Sequence, residues 1–326
     1  MTLQGLNIDL KAVAPLAALV ALLVLGTAIN DAFLSFGNLT NILTRSAFIG
    51  IIAVGATFGI SSGGIDLSVG SMAAFIAGAM IIAMNLLLGV TDQLLLIVAC
   101  GVACGALLGF AAGWLNGILI TRGGIEAFIV TLGTMGIYRS LVTYLADGGT
   151  LSLDFEIRSV YRPVYYGDLF GLPYPLLIFA MTAIAGYVVL NHTAYGRHVQ
   201  SVGASEDVAR YSAINTDRVK VIAFMIQGVC VALATIVYVP RLGSASSTTG
   251  LLWELEAIAA VIIGGTLLKG GYGRIGGTVA GALILTLIGN ILNLTDAISN
   301  YLNGAVQGVI IIAAVLLQRG MGRQQG

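Results

Sequence analysis

Long apolar runs broken by short polar stretches set the pattern of this chain. A helix that spans a bilayer needs about 20 mostly apolar residues. Windows of that kind fall at 13–29, 46–62, 67–88, 94–120, 127–145, 176–190, 219–239, 255–268, 276–294 and 301–317. Polar segments separate them, the longest at 146–173 and 191–218. The pattern predicts an all-α polytopic membrane protein of about ten transmembrane helices. It reads as a single transmembrane domain over 1–326. The first run has one Lys before it and no clear small-residue cleavage site after it. That marks an uncleaved first helix rather than a signal peptide.

Composition sharpens this reading. Apolar residues make up 58% and charged residues 9%, with a mean hydropathy of +0.97. A soluble domain carries roughly 25% charged residues, so this chain cannot cover a water-facing surface. Gly is abundant at 44 residues and Pro scarce at 5, which suits closely packed membrane helices. Net charge is zero, and with no basic stripe nucleic acid is excluded as a partner. Cys100, Cys104 and Cys230 lie inside apolar runs and read as packing residues. Basic residues then fix the orientation. With the N-terminus inside, the inner segments hold Lys11, Arg122, Arg197, Arg210, Arg218, Lys220, Lys269, Arg274, Arg319 and Arg323. The outer ones hold only Arg45, Arg158, Arg162 and Arg241. Both termini are therefore expected in the cytoplasm.

The chain also repeats. Gly101, Gly105, Gly109, Gly113 and Gly117 form a ladder of four-residue steps on the fourth window. Gly273, Gly277, Gly281 and Gly289 repeat it on the ninth, with Leu285 in one slot. Asn116 and Asn290 stand beside the last rungs. An offset of five helices makes the two copies run in opposite directions. This predicts an inverted internal repeat with halves 46–146 and 219–318, an arrangement typical of transporters.

Four polar segments carry the candidate chemistry. In Ser61–Ser71 two glycines break a helix, and Asp66 is expected to cap the next one. Ser68 follows it, and such a break is a candidate lining for a polar path. Within 191–218, Ser205 is expected to cap a short helix with Glu206 and Asp207 in its first turn. Val208, Tyr211 and Ile214 recur on one face, suited to a partner groove or the bilayer surface. Glu256 opens another apolar run, as Asp66 does. Leu267–Arg274 is a Gly-rich basic turn but not a phosphate-binding loop, because no Gly-Lys-Ser/Thr follows at the required spacing. Glu126, Arg139 and Asp147 form a candidate charge set near the fifth window. The chain shows no catalytic nucleophile–base pair, and His192 and His198 have no acidic or Cys partner for a metal. No cofactor is expected on this chain.

Gly63-Gly64-Ile65-Asp66-Leu67-Ser68-Val69-Gly70-Ser71 resembles a signature of permease subunits of ATP-binding cassette sugar importers, of the ribose, xylose and galactofuranose type. Gly203 to Ile214 resembles their cytoplasmic coupling loop, and Glu254 to Thr266 their third landmark. The order is the same, and the likeness runs from about Asn38 to Arg319. Tyr211 and Ala213 depart from it, where relatives often carry Leu and Gly. The resemblance implies a multi-pass permease of the bacterial inner membrane that translocates a pentose or hexose. It implies separate ATPase subunits that hold ATP and Mg and grip the coupling loop, 191–218. The loop's residues for that contact are Ser205, Glu206, Asp207, Val208, Ala209, Arg210, Tyr211, Ser212 and Ile214. It further implies a periplasmic sugar-binding protein, met here by the outer segment 146–173, and a second permease subunit, identical or paralogous. Asp66, Ser68, Asn116, Glu256 and Asn290 are the candidate path residues. The rival is a stand-alone secondary transporter, for which Asp66 and Glu256 offer the plausible acid pair. A membrane-embedded enzyme would need an inward-facing catalytic constellation, and none is visible.

Overall fold

A computed structural model describes residues 10–295, together with 304–305, 308–309 and 312. Five long helices come first: α1 (Leu10–Ile29), α2 (Phe36–Ser61), α3 (Val69–Leu88), α4 (Leu94–Gly123) and α5 (Ala127–Leu145). The segment after them holds β1 (Thr150–Ser152), α6 (Phe155–Tyr161), α7 (Pro163–Tyr166), β2 (Asp168–Leu169) and β3 (Leu172–Pro173). Then follow α8 (Tyr174–His192), α9 (Ala194–Ala204), α10 (Glu206–Tyr211) and α11 (Thr216–Leu242). The described part ends with β4 (Ser244–Ser246), α12 (Trp253–Ile263) and α13 (Ile275–Thr295). Seven of these helices are long and apolar enough to cross a membrane: α2, α3, α4, α5, α8, α11 and α13. The expected window at 301–317 lies essentially outside the described residues.

α2 is the central post. Every residue from Ser46 to Ser61 is buried, as expected where no helix face is polar. The helix starts ten residues earlier than its apolar window, at Phe36, because Ser35 accepts a hydrogen bond from the Asn38 N–H and so caps it. Polar Asn38, Thr40 and Arg45 hide that first stretch from hydropathy, and Arg45 thus sits within α2 rather than in a loop.

The expected span 255–268 is corrected to a half-length helix. α12 holds 11 residues, about 16 Å at 1.5 Å per residue. It stops in a Schellman motif: the Gly265 N–H donates to Ile262 and the Thr266 N–H to Val261. The motif demands a left-handed residue, and Gly265 supplies it at φ 88°. The same motif ends α2, where Gly63 takes φ 90° and the Gly63 and Gly64 N–H groups donate to Ile60 and Gly59.

The glycine ladders are contact faces. On α4, Gly101 and Gly105 admit Met84 and Met80 of α3, while Gly109, Gly113 and Gly117 lie against the backbone of α11. A Cβ on Gly113 would stand 2.3 Å from the Phe224 carbonyl oxygen. The second ladder is shorter than expected. Gly277 and Gly281 meet Gly264 at the C-cap of α12 and Ala260 within it, but Gly273 precedes α13 and Gly289 meets nothing within 4 Å among the described residues. α4 packs on α3 and α11, and α13 packs on α12 and α2.

At the end of the bundle away from α10, β1 pairs antiparallel with β4, Leu151 opposite Ala245. The segment 146–173 folds back on α11, and the buried Tyr161 hydroxyl donates to the Ile236 carbonyl.

Candidate functional site

Three capped turns shape the segment 191–218. Thr193 caps α9, Ser205 both ends α9 and caps α10, and Asn215 caps α11. Between α10 and α11, Ala213 takes φ 61°, a left-handed conformation that suits the Gly of the resembling sequences.

The short helix presents a mixed set of residues. Tyr211 is 91% exposed and Val208 63%, while Ala209 is buried and Ile214 packs against the core. The expected common face of Val208, Tyr211 and Ile214 is thus split, because α10 ends at Tyr211 and the chain turns inward after it. Asp207 and Ser212 are exposed. Glu206 turns toward α11: it accepts hydrogen bonds from Lys220 and from Arg210, the latter at 3.2 Å. Arg210 also donates to Thr216 at 3.4 Å. Burial alone would raise the Glu206 carboxyl. The Lys220 hydrogen bond and charge, with Thr216 and Arg210, outweigh that and hold it below the ordinary carboxylate range. Beside this latch lies a cavity of about 270 Å³. Its walls are Gly63 and Gly64, the α4–α5 turn, Glu206, Arg210 and Lys220.

Deeper in, three of the five path candidates form one closed polar cluster. The Asp66 carboxylate accepts from the Ser68 N–H at 2.7 Å, the Ser68 hydroxyl at 2.6 Å and the Asn116 Nδ2 at 3.4 Å. Asn116 also donates to Ser68 Oγ at 3.0 Å. Thr131 of α5 donates to the Ile65 carbonyl at 3.2 Å. Asp66 is only 3% exposed, and Ser68, Asn116 and Thr131 are fully buried. The expected cap is corrected: Ser68 occupies the N-cap position of α3, and Asp66 holds Ser68 from two residues upstream. Asn116 Oδ1 and the Tyr138 hydroxyl are buried without a hydrogen-bond partner among the described residues.

The start of α12 meets the start of α3. A Cβ on Gly250 would stand 2.4 Å from the Gly70 carbonyl oxygen, and one on Gly70 would stand 2.5 Å from Glu254 Oε2. Arg139 reaches across from α5 and donates to the Ser247 and Thr249 carbonyls. Its charge also acts with that of Glu254. The candidate set Glu126–Arg139–Asp147 is thereby corrected, since a carbonyl-rich turn gives Arg139 better-placed acceptors. Beside it, Arg139, Ser140, Thr143, Tyr144, Asp147 and Gly148 line an open cleft of about 430 Å³ on the C-terminal half of α5.

The other two candidates stand apart. Asn290 exchanges two hydrogen bonds with Asn38 of α2, at 2.7 and 3.1 Å. Glu256 is half-buried in the first turn of α12. Sequence reasoning missed Glu254 and Tyr138. Glu254 lies two residues before the chosen acid, and its carboxylate is set beside Gly70 of α3 and within reach of the Arg139 charge. In the segment 146–173, Tyr161 and Tyr165 are buried, whereas Phe155, Tyr166 and Phe170 are exposed.

Comparison with known proteins agrees with this architecture. Residues 38–315 match the family described as branched-chain amino acid transport system / permease component. The ribose import permease protein RbsC of Haemophilus influenzae is 36% identical over 94% of this chain and 93% of its own length. That of Escherichia coli strain K12 is 37% identical over 93% of this chain and 92% of its own. An inward-facing structure described as a metal-chelate type ABC transporter superposes with a TM-score of 0.55. It covers 93% of this chain and 97% of that one, and at 14% identity the likeness is one of fold alone. With a match across most of its length and relatives that align over nearly their whole sequences, this multi-pass membrane protein belongs to the branched-chain amino acid transport system / permease component family.

Proposed function

We infer that this chain is the permease subunit of an ATP-binding cassette importer for a monosaccharide, a pentose or a hexose. The observation that carries the reading is its identity, above one-third, to ribose import permeases over more than nine-tenths of the chain. The family description names amino acids, but the sugar reading follows the individual relatives, which align nearly end to end. ATP and Mg act in separate ATPase subunits. Those subunits dock on the outward residues of α10, Asp207, Val208, Tyr211 and Ser212. Glu206, Ala209, Arg210 and Ile214 hold α10 to the membrane body from behind, and Ser205 is its hinge. The burial of Ala209 and the exposure of Tyr211 support this division.

The fold is read as about ten transmembrane helices in two inverted halves, 46–146 and 219–318. The exchange of helix partners between α4 and α13 supports it. Both termini are cytoplasmic, in a bacterial inner membrane. A second permease subunit, identical or paralogous, completes the path, and the polar outer face of α5 forms its wall on this side. Hydroxyl, aromatic and charged groups at Arg139, Ser140, Thr143, Tyr144 and Asp147 suit a polyol passing in single steps. Asp66, Ser68 and Asn116 act beneath that wall as a buried hinge. A periplasmic sugar-binding protein delivers the solute to the exposed ring of Phe155, Tyr166 and Phe170.

The test is co-purification from native membranes in mild detergent, then reconstitution with radiolabelled ribose and other monosaccharides. The expected result is an ATPase in stoichiometric amount and uptake that requires ATP. A chain that purifies alone and moves sugar on an ion gradient would reverse the reading in favour of a secondary transporter.

A further inference from the structure

Three backbone segments converge at Gly203, at the cytoplasmic end of the bundle. The first is the end of α2, Ser61 to Gly63. The second is the last turn of α9, two residues before the Ser205 hinge. The third is the turn between α12 and α13, Gly270 to Gly273. The Gly271 N–H donates to the Ser61 carbonyl at 3.1 Å. A Cβ on Gly203 would stand 1.9 Å from that same carbonyl oxygen and 2.6 Å from the Gly271 nitrogen. A Cβ on Gly270 would stand 2.8 Å from the Gly203 oxygen and 3.0 Å from the Gly63 Cα. Gly273 leaves room for the Ser61 hydroxyl, which its Cβ would approach to 2.1 Å.

Local conformation does not explain Gly203. It lies inside a helix and has no positive φ, and alanine there would favour the helix by about 1 kcal/mol. The close approach explains it. Backbone groups cannot yield as the tip of a flexible side chain can, so a methyl group must push the three segments apart.

The location gives the contact a consequence. Gly203 belongs to the segment that carries α10. Ser61 to Gly63 is the break between α2 and α3, and Gly270 to Gly273 the break between α12 and α13. One backbone contact therefore joins the coupling segment to a helix break in each half of the molecule. We propose that Gly203 is a positioning residue for energy coupling: the three segments form one rigid joint, and a displacement of α10 moves both helix breaks together. The proposal rests on the ATPase-docking reading above.

The test uses the full permease–ATPase complex in proteoliposomes and reads sugar moved per ATP hydrolysed. Gly203→Ala should assemble with the ATPase and hydrolyse ATP, with that ratio lowered about tenfold, within the usual range of coupling factors. Loss of folded protein would lower both rates and leave the ratio unchanged. Gly276→Ala, whose Cβ would meet nothing within 4 Å among the described residues, should keep the wild-type ratio. A wild-type ratio in Gly203→Ala overturns the joint while leaving the importer reading intact. If no ATPase accompanies the wild-type chain, the importer reading fails and the joint with it. Hydrogen exchange of the unmodified complex gives a readout independent of any variant. Peptides covering 59–64, 200–205 and 268–273 should change protection together on ATP binding, and a change confined to one of them would overturn the joint.

Discussion

At the scale of single residues, the Asp66 cluster shows what burial asks of a carboxylate. Asp66 has its hydrogen bonds from one backbone N–H, one hydroxyl and one amide, all from residues that are themselves buried. An unmet buried acceptor costs about 1–3 kcal/mol, and more when it is charged. Removing Asn116 leaves Asp66 Oδ2 bare, whereas removing Asp66 as well removes the need. Asn116→Ala and Asp66→Ala should therefore be non-additive in the unfolding of the detergent-solubilised protein. The expected coupling energy is about 0.5–3 kcal/mol, towards the low end if membrane-buried pairs are the guide. Additivity within ~0.3 kcal/mol would show that the amide is a spectator. The sequence made Asp66, Ser68 and Asn116 visible as polar residues in apolar surroundings, but not as one cluster. Asn116 is fifty positions from Asp66, and nothing in its own neighbourhood separates it from Asn290, which pairs instead with Asn38.

At the scale of elements, hydropathy located helices well and their ends poorly. Nine of the ten apolar windows fall on helices among the described residues. The errors have two causes. A helix can begin in polar sequence when a cap supports it, as α2 does at Ser35. It can also stop inside apolar sequence when paired glycines close it, as α12 does at Gly264 and Gly265. The ladder on α4 was legible because small residues at four-residue steps share one helix face. Its partner was not, since that face could meet any neighbour. The α4–α11 contact now gives a sharp contrast. Gly113→Val places atoms where the Phe224 carbonyl stands, and overpacking should cost at least about 1–3 kcal/mol. Gly289→Ala meets nothing within 4 Å among the described residues and should be close to neutral, or slightly stabilising through helix propensity. Thermal midpoints of the two variants decide it, and equal midpoints would mean that α4 and α11 do not pack backbone to backbone.

At the scale of the whole molecule, sidedness joins sequence to mechanism. In the proposed orientation, the excess of Lys and Arg puts α9 and α10 in the cytoplasm and the segment 146–173 on the opposite face. The bundle keeps those two regions at opposite ends of α11: α10 adjoins its start through Glu206 and Lys220, and Tyr161 adjoins its far end through Ile236. The proposed inverted halves require α2 and α11 to cross in opposite directions, and in that reading the contacts of α4 with α11 and of α13 with α2 join equivalent helices. Two exposed positions make this measurable: Tyr211 at 91% and Phe170 at 96%. In a background with Cys100 and Cys104 replaced by Ala, Tyr211→Cys should react with a membrane-impermeant maleimide only in inside-out vesicles. Phe170→Cys should react only in right-side-out ones. Reaction of both in the same vesicles would place the two regions on one face, and neither the coupling role of α10 nor the inverted halves would survive that result. Reaction with both sidednesses reversed would keep the halves but put α10 beyond the reach of any cytoplasmic ATPase.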